Sequence, residues 1–349
     1  MQKSPFISII IPVYNVEPYI ADCIQSVMRQ TYQGPMECIV VDDACTDKSM
    51  AIAKELIAGY EGPIVFKVLR HEKNRGLSAA RNTAMDVATG DFIIAVDSDD
   101  WLADHAVDSL LKRQLETGAD VVSANVMVHY ADEDVLLRGK EYSDREQMVL
   151  QMMQTSWNHF FAGNLIRRTV ITDNDLHWIE GLDQGEDRYM RTLVAYYSQR
   201  QAAVDDVVYY YNRTNASSIT SASSNAASRI RYNAQELDYM LVLERFFADK
   251  EIKFKKEATQ CCMDQMDFNL KNTLAYSMKD EFQRLTAVID GRSEADCNLI
   301  GWKKNGINGR LMHCYCWMRM KWLAKKVEKY LKRKMHCCSR KESENKSNV

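Results

Sequence analysis

Three apolar runs in the first hundred residues each stop on polar chemistry, and this repeat constrains the fold more than any other feature of the chain. Residues 7–11 run on toward Asn15, residues 38–41 into Asp42 and Asp43, and residues 92–96 into Asp97, Ser98, Asp99 and Asp100. Short aliphatic runs without polar alternation read as strands buried on both faces. Between them, residues 19–30, 47–58 and 77–88 carry helical spacing, with Thr46 or Asp47 placed to cap the second helix. Residues 65–69 add a strand, 103–117 a helix, and a further strand opens at Val121. Strand and helix in alternation predict an α/β fold with a mostly parallel sheet flanked by helices. In such sheets ligands bind beyond the carboxyl ends of the strands, which is where the polar residues stand.

The remainder is less regular. Residues 128–220 hold a polar loop, an aromatic run at 157–161, an acidic loop around Gly185, Glu186 and Asp187, and a strand-like 207–211. Residues 217–228 read as a polar linker. From about Arg229 the chain is helical in character, rich in Met and Lys, with no strand signal. The length of 349 residues and a 46% hydrophobic content suffice for one large domain with an extension. The near-neutral formal charge of −3 hides an asymmetry, because residues 302–340 carry twelve Lys and Arg against one acid, Glu328. A basic tail on an acidic body points to an anionic partner for the tail. None of the ten cysteines forms a CxxC pair, so zinc-site spacing is absent. The first fifteen residues lack a signal core, and no run approaches the length of a membrane-spanning helix. The expectation is a cytoplasmic protein with reduced thiols.

Asp97 and Asp99 are spaced so that both carboxylates at a strand end can reach one hard cation, which favours carboxylate, water and phosphate oxygens. Such a pair standing alone is more often a solvated loop or a helix cap. Asp42 and Asp43 also end a strand; they can cap the next helix or accept hydrogen bonds from a base and a ribose. Residues 74–82 open a helix after Gly76, and Arg81 there suits a phosphate. Glu186 and Asp187 precede a helix, where acids pair well with its dipole, and where an aspartate can also act as a general base.

Together these stretches resemble glycosyltransferase family 2, whose members have the GT-A fold. The matching segments are residues 8–15, 41–47, 74–82 and 90–102, in the family's order and spacing. The resemblance is strong over residues 5–127 and fair to about 220. It implies a catalytic domain over 1–220, with a nucleotide half at 1–127 and an acceptor half at 128–220; beyond it, composition alone predicts a helical region at 221–338 and a charged, disordered tail at 339–349. It implies an inverting transfer of a sugar from a nucleotide-sugar, usually a UDP-sugar, to a glycan or lipid-linked acceptor, as in polysaccharide synthesis. Pro12, Tyr14 and Asn15 would line the base and ribose. Asp42 or Asp43, with a slight preference for Asp42, would bind the base, and Arg81 would lie near the base or diphosphate. Asp97 and Ser98 would face the donor, Asp99 with Asp97 would hold Mn2+ or Mg2+, Asp187 beside Glu186 would be the base, and Arg213 would clamp the diphosphate. The sequence departs from the family at Asn164, which stands where a lysine is common, and no histidine follows Asp187 before His313. A third metal ligand is therefore unassigned, and His159 and His177 read as structural.

Residues 311–333 have amphipathic helical spacing with a lysine face and with Trp317 and Trp322 beside it. Two readings fit: a helix lying on an anionic membrane surface, and a helix packed on the catalytic domain. No nucleic-acid motif accompanies the basic residues. Two rival functions remain. A sugar-nucleotidyltransferase would want a glycine-rich loop after the first strand, which residues 12–15 do not supply. A catalytically inactive nucleotide-sugar-binding scaffold would have no need of both acidic pairs.

Overall fold

The computed structural model describes residues 4–154, 160–182, 184–215, 218, 226–276 and 279–290. Four strands, β1 (Ile7–Val13), β2 (Met36–Asp42), β3 (Val65–Arg70) and β4 (Phe92–Ala95), pair in parallel in the order β3-β2-β1-β4. The helices α1 (Ile20–Met28), α2 (Ser49–Ala58) and α3 (Leu77–Val87) form the crossovers. β1 is buried at every position because helices cover both faces of the sheet. Ile7, Ile9 and Ile11 face a cluster shared with Ile24 of α1 and Ala53 of α2. Ile10 faces the other cluster, with Ala80 and Ala84 of α3. Full burial of each such side chain contributes about 1.5–3 kcal/mol. That burial explains why the run shows no alternation.

After β5 (Trp101–Leu102) and α4 (Ala106–Thr117) come β6 (Val121–His129), β7 (Asp134–Leu137), α5 (Arg145–Gln154), β8 (Leu165–Arg167), α6 (Arg168–Thr172), α7 (Glu186–Tyr197) and β9 (Gln201–Asn212). The sheet continues β4-β8-β6-β9-β5, with β7 on β6. Only the β6–β9 pair is parallel here; β4–β8, β6–β8, β6–β7 and β5–β9 are antiparallel. The sheet is therefore mixed, and its parallel order is concentrated in the half that the crossover pattern announces. The expected helix at 103–117 starts later, at Ala106, because the chain first makes the short β5 pairing with Tyr209 and Tyr210. It ends as expected, on Gly118 at φ 66°.

Beyond the sheet lie α8 (Ala226–Phe246), α9 (Ile252–Tyr276) and α10 (Lys279–Asp290). Leu237, Phe247, Phe254 and Met266 join the same cluster as Met148 of α5 and Met190 of α7. The helical region is thus packed on α5 and α7. None of the described helices is long and apolar enough to cross a membrane. The amphipathic stretch at 311–333 and the tail at 339–349 lie outside the described residues.

Candidate active site

A cavity of about 890 Å³ opens at the carboxyl ends of β1 and β4. Residues 12–16 after β1, Asp43 after β2, Asn74 and Gly76 before α3, and residues 97–99 after β4 all line it. The strand-end rule that located the polar residues in the sequence is obeyed in space.

The loops after β1 and β2 are held by their own side chains. Asn15, at φ 50°, accepts hydrogen bonds on Oδ1 from the amides of Thr46 (2.8 Å) and Asp47 (3.4 Å). Asp42 and Asp43 diverge. Asp42 is buried, accepts the Cys45 amide at 2.8 Å and does not line the cavity, so it shapes the turn after β2. Asp43 lines the cavity and accepts from Arg75 N and Gly76 N, both at 2.8 Å, and from His71 Nδ1 at 2.6 Å. Of the two acids, then, Asp43 and not the slightly preferred Asp42 is the one at the cavity. Residues adjacent on a strand point to opposite faces, and a sequence does not show which face meets the ligand. Gly76 starts α3 at φ 88°, a conformation that favours glycine.

Arg81 is the centre of the site. It sits on α3, fully buried. Its Nη2 donates to Asp97 Oδ1 at 2.8 Å and its Nη1 to Asp187 Oδ1 at 2.6 Å, with Glu186 Oε1 at 3.5 Å. Burial works against its charge, but Asp187, Asp97 and Glu186 more than offset that, so the guanidinium stays protonated. One planar fork therefore joins the acid after β4 to the acids at the start of α7.

The turn after β4 is fixed from beneath. Asp100 is buried and accepts from the Tyr209 hydroxyl at 2.6 Å and the Asn212 amide at 2.8 Å. The Tyr209 oxygen in turn accepts the Asp97 amide at 3.2 Å. Burial, then the charges of Asp99 and Asp97, push the Asp100 carboxyl well above the usual range. Asp99 accepts from Asn215 Nδ2 at 2.8 Å; burial and Asp97 raise its proton affinity, against the Asn215 contact.

Asp97 and Asp99 place two carboxylates on one half-buried turn, and carboxylate oxygens are the donors a hard cation favours. Among the described residues no group of three His, Cys, Asp or Glu side chains is placed to hold a metal ion. A cation on Asp99 and Asp97 would complete its shell from phosphate oxygens and water.

Glu186 and Asp187 begin α7 after Gly185, which has φ 81°. A Cβ on Gly185 would fall 2.1 Å from Cε1 of Tyr239, so the loop is seated directly on α8. Asp187 Oδ2 accepts the Phe161 amide at 3.0 Å. Burial raises both carboxyls; the Asp187 charge raises Glu186 further, and Arg81 opposes the rise in both.

Asn164, where a lysine is common, is a buried buckle. It accepts the Ala124 amide and donates to the carbonyls of Phe160, Phe161 and Ala162. Arg213 is one residue removed from the cavity: its Nη1 donates to the hydroxyl of Tyr211, which lines it. His177 is at the surface beside Asp175, and His159 lies outside the described residues. Sequence reading missed Tyr209, Asn215 and the walls supplied by α8 and α9. Each is a single polar or aromatic residue in an ordinary strand, loop or helix, and nothing local marks it.

Residues 8–174 match the glycosyl transferase family 2 domain. The glycosyltransferase GlyA of Streptococcus pneumoniae is 41% identical over 120 residues, 34% of this chain and 16% of GlyA. The chain spans at most 58% of the length of the first curated relatives it matches. Among solved structures, S. aureus TarS 1–349 in complex with UDP-GlcNAc superposes with a TM-score of 0.63 at 21% identity, covering 93% of this chain and 91% of that one. The mannosyltransferase PcManGT from Pyrobaculum calidifontis, in complex with GDP-Man and Mn2+, gives 0.51 at 18% identity, covering 94% and 89%. These two likenesses establish a shared GT-A-type fold. The ordered strand-end motifs, the mixed sheet they terminate and the domain match agree, and residues 8–174 of this chain belong to glycosyltransferase family 2.

Proposed function

We propose that the chain transfers one sugar, with inversion, from a nucleotide-sugar, in the first instance a UDP-sugar, to a hydroxyl of a glycan or lipid-linked glycan. The observation that carries this is Arg81, which holds Asp97 and Asp187 to one guanidinium at the wall of a cavity of about 890 Å³. That volume lies in the range of small-molecule sites. The fold likeness to TarS, crystallised with UDP-GlcNAc, supports the choice of donor class.

In this reading residues 1–220 are the catalytic unit. Pro12, Tyr14, Asn15 and Asp43 receive the base and ribose. Asp97 and Ser98 face the donor sugar, and Asp99 with Asp97 would hold Mn2+ or Mg2+. Bound there, the cation supplies charge neutralisation for the diphosphate. Asp187 takes the proton of the acceptor hydroxyl. That oxygen forms the new bond to the anomeric carbon, the bond from that carbon to the diphosphate oxygen breaks, and the nucleoside diphosphate leaves with the electron pair. Arg81 keeps Asp187 oriented while its raised proton affinity favours accepting the proton. Arg213, beside Tyr211, is the candidate diphosphate clamp from the rim. A cytoplasmic location, with residues 311–333 on an anionic membrane surface, belongs to the same reading.

The test is a panel of UDP- and GDP-sugars scored by nucleoside diphosphate release, with Mn2+ or Mg2+ and with chelator. Metal-dependent release from one donor, lost in Asp99→Ala, is the expected result. Donor binding without release under any acceptor would mark an inactive scaffold and sink the enzymatic reading.

A further inference from the structure

The cavity has a wall that no strand-end motif explains. Tyr232, Asn233 and Glu236 of α8 and Gln265 and Phe268 of α9 line it. These helices lie outside residues 8–174, the matched domain. They are pinned together at this spot: Asn269 Nδ2 donates to the Asn233 carbonyl at 2.7 Å, and Gln265 Nε2 to Asn269 Oδ1 at 2.9 Å. They are also pinned to the acidic loop, through Tyr239 against Gly185 and through Arg188 at 3.9 Å from Glu236.

Two features of this wall point to a ligand. Phe268 is 51% exposed although it lines a cavity. An aromatic face open beside polar groups is the usual platform for a flat apolar surface, and a sugar ring presents one through its C–H groups. The Nδ2 of Asn233 is buried with no hydrogen-bond partner among the described residues. A buried donor left unpaired is costly, and an oxygen from a ligand would satisfy it.

The charge on the cavity narrows the class. Its described lining carries Asp43, Asp97, Asp99, Glu186, Asp187 and Glu236 against Arg188, which already faces Glu236. Among the described residues that line this wall Arg188 is the one cation, and it faces Glu236, so none is placed to hold an acceptor phosphate.

We infer that α8 and α9 form the acceptor subsite and that it takes an uncharged sugar ring. The ring stacks on Phe268, and its hydroxyls meet Asn233, Gln265 and Glu236. A phosphate-bearing polyol chain is excluded. The inference rests on the transferase reading above and makes α9 the element that sets acceptor specificity.

The test uses the full chain, the donor found by the release panel, and acceptor probes of two kinds: neutral oligosaccharides (lactose, cellotriose, maltotriose, chitotriose) and a ribitol-phosphate oligomer. A neutral probe should accelerate release and the phosphate oligomer should not. Phe268→Ala should raise the acceptor KM about five- to tenfold, Phe268→Trp should restore it, and the donor KM should move less than about twofold. Leu115→Ala, which truncates an exposed apolar side chain on α4, should move neither. Release that no neutral probe accelerates, faster release with the phosphate oligomer, or an unchanged acceptor KM in Phe268→Ala overturns the inference alone. A rise in donor KM in its place does the same, assigning the wall to the donor. No donor turnover in the unaltered protein removes the transferase reading itself.

Discussion

Replacing Arg81 with methionine removes the one group that neutralises three carboxylates around the cavity. The side chain is 0% exposed, while Asp97, Glu186 and Asp187 are 29%, 12% and 21% exposed. With charge centres about 4 Å apart and an effective dielectric near 20, each close contact is worth about 4 kcal/mol. Two close contacts, at 2.8 and 2.6 Å, are offset by the several kcal/mol needed to bury the guanidinium. The expected loss of unfolding free energy is about 3–5 kcal/mol, the range for stripping one partner from a buried network.

The loss depends on pH. Burial already raises Glu186 and Asp187, and Arg81 restrains that rise. Without it both climb further in the folded state, while their unfolded values stay near about 4. Between those limits the folded variant binds more protons than the unfolded chain, so its stability falls as pH rises. The deficit relative to the parent should therefore be smaller at about pH 5 than at about pH 8. Urea unfolding followed by tryptophan fluorescence measures it, with Trp178 as a local reporter because its ring centroid lies 5.8 Å from the guanidinium. A deficit below about 1 kcal/mol at both pH values, or a larger one at the lower pH, would refute the argument that Arg81 holds this site by charge.

Asp187→Asn should lower kcat by about 10²- to 10⁴-fold with the donor KM nearly unchanged, measured as diphosphate release. In the unaltered protein the same assay across pH should show an acid limb above the ordinary carboxylate range, because activity needs the raised base deprotonated; a limb in the ordinary range would count against Asp187. Tyr209→Phe deprives the buried Asp100 of its 2.6 Å donor and the Asp97 amide of its acceptor. It should cost about 1–3 kcal/mol and raise the Mn2+ or Mg2+ concentration needed for half-maximal release. Unchanged melting and unchanged metal demand would show that Tyr209 does not hold the turn.

Much of the parallel half of the sheet was legible from residues alone. A strand buried on both faces must be continuously apolar, so residues 7–11, 38–41 and 92–96 announced β1, β2 and β4, and their polar termini announced one edge of the cavity. The antiparallel strands β7 and β8 were not legible. They are only four and three residues long, and their place in the sheet is set by pairing with β6 and β4 rather than by their own pattern.

What the sequence determined by itself is local: which runs are buried, where they stop, and which acids stand at the stops. Tertiary structure decided which of two adjacent acids faces the cavity, since Asp43 lines it and Asp42 does not. It brought Arg81 to acids 105 and 106 residues away along the chain. It also set α8 and α9, read from sequence as a separate extension, into the cavity wall. The physical reason is that periodicity records whether a residue is buried, while the partner that buries it is chosen by packing across the whole chain.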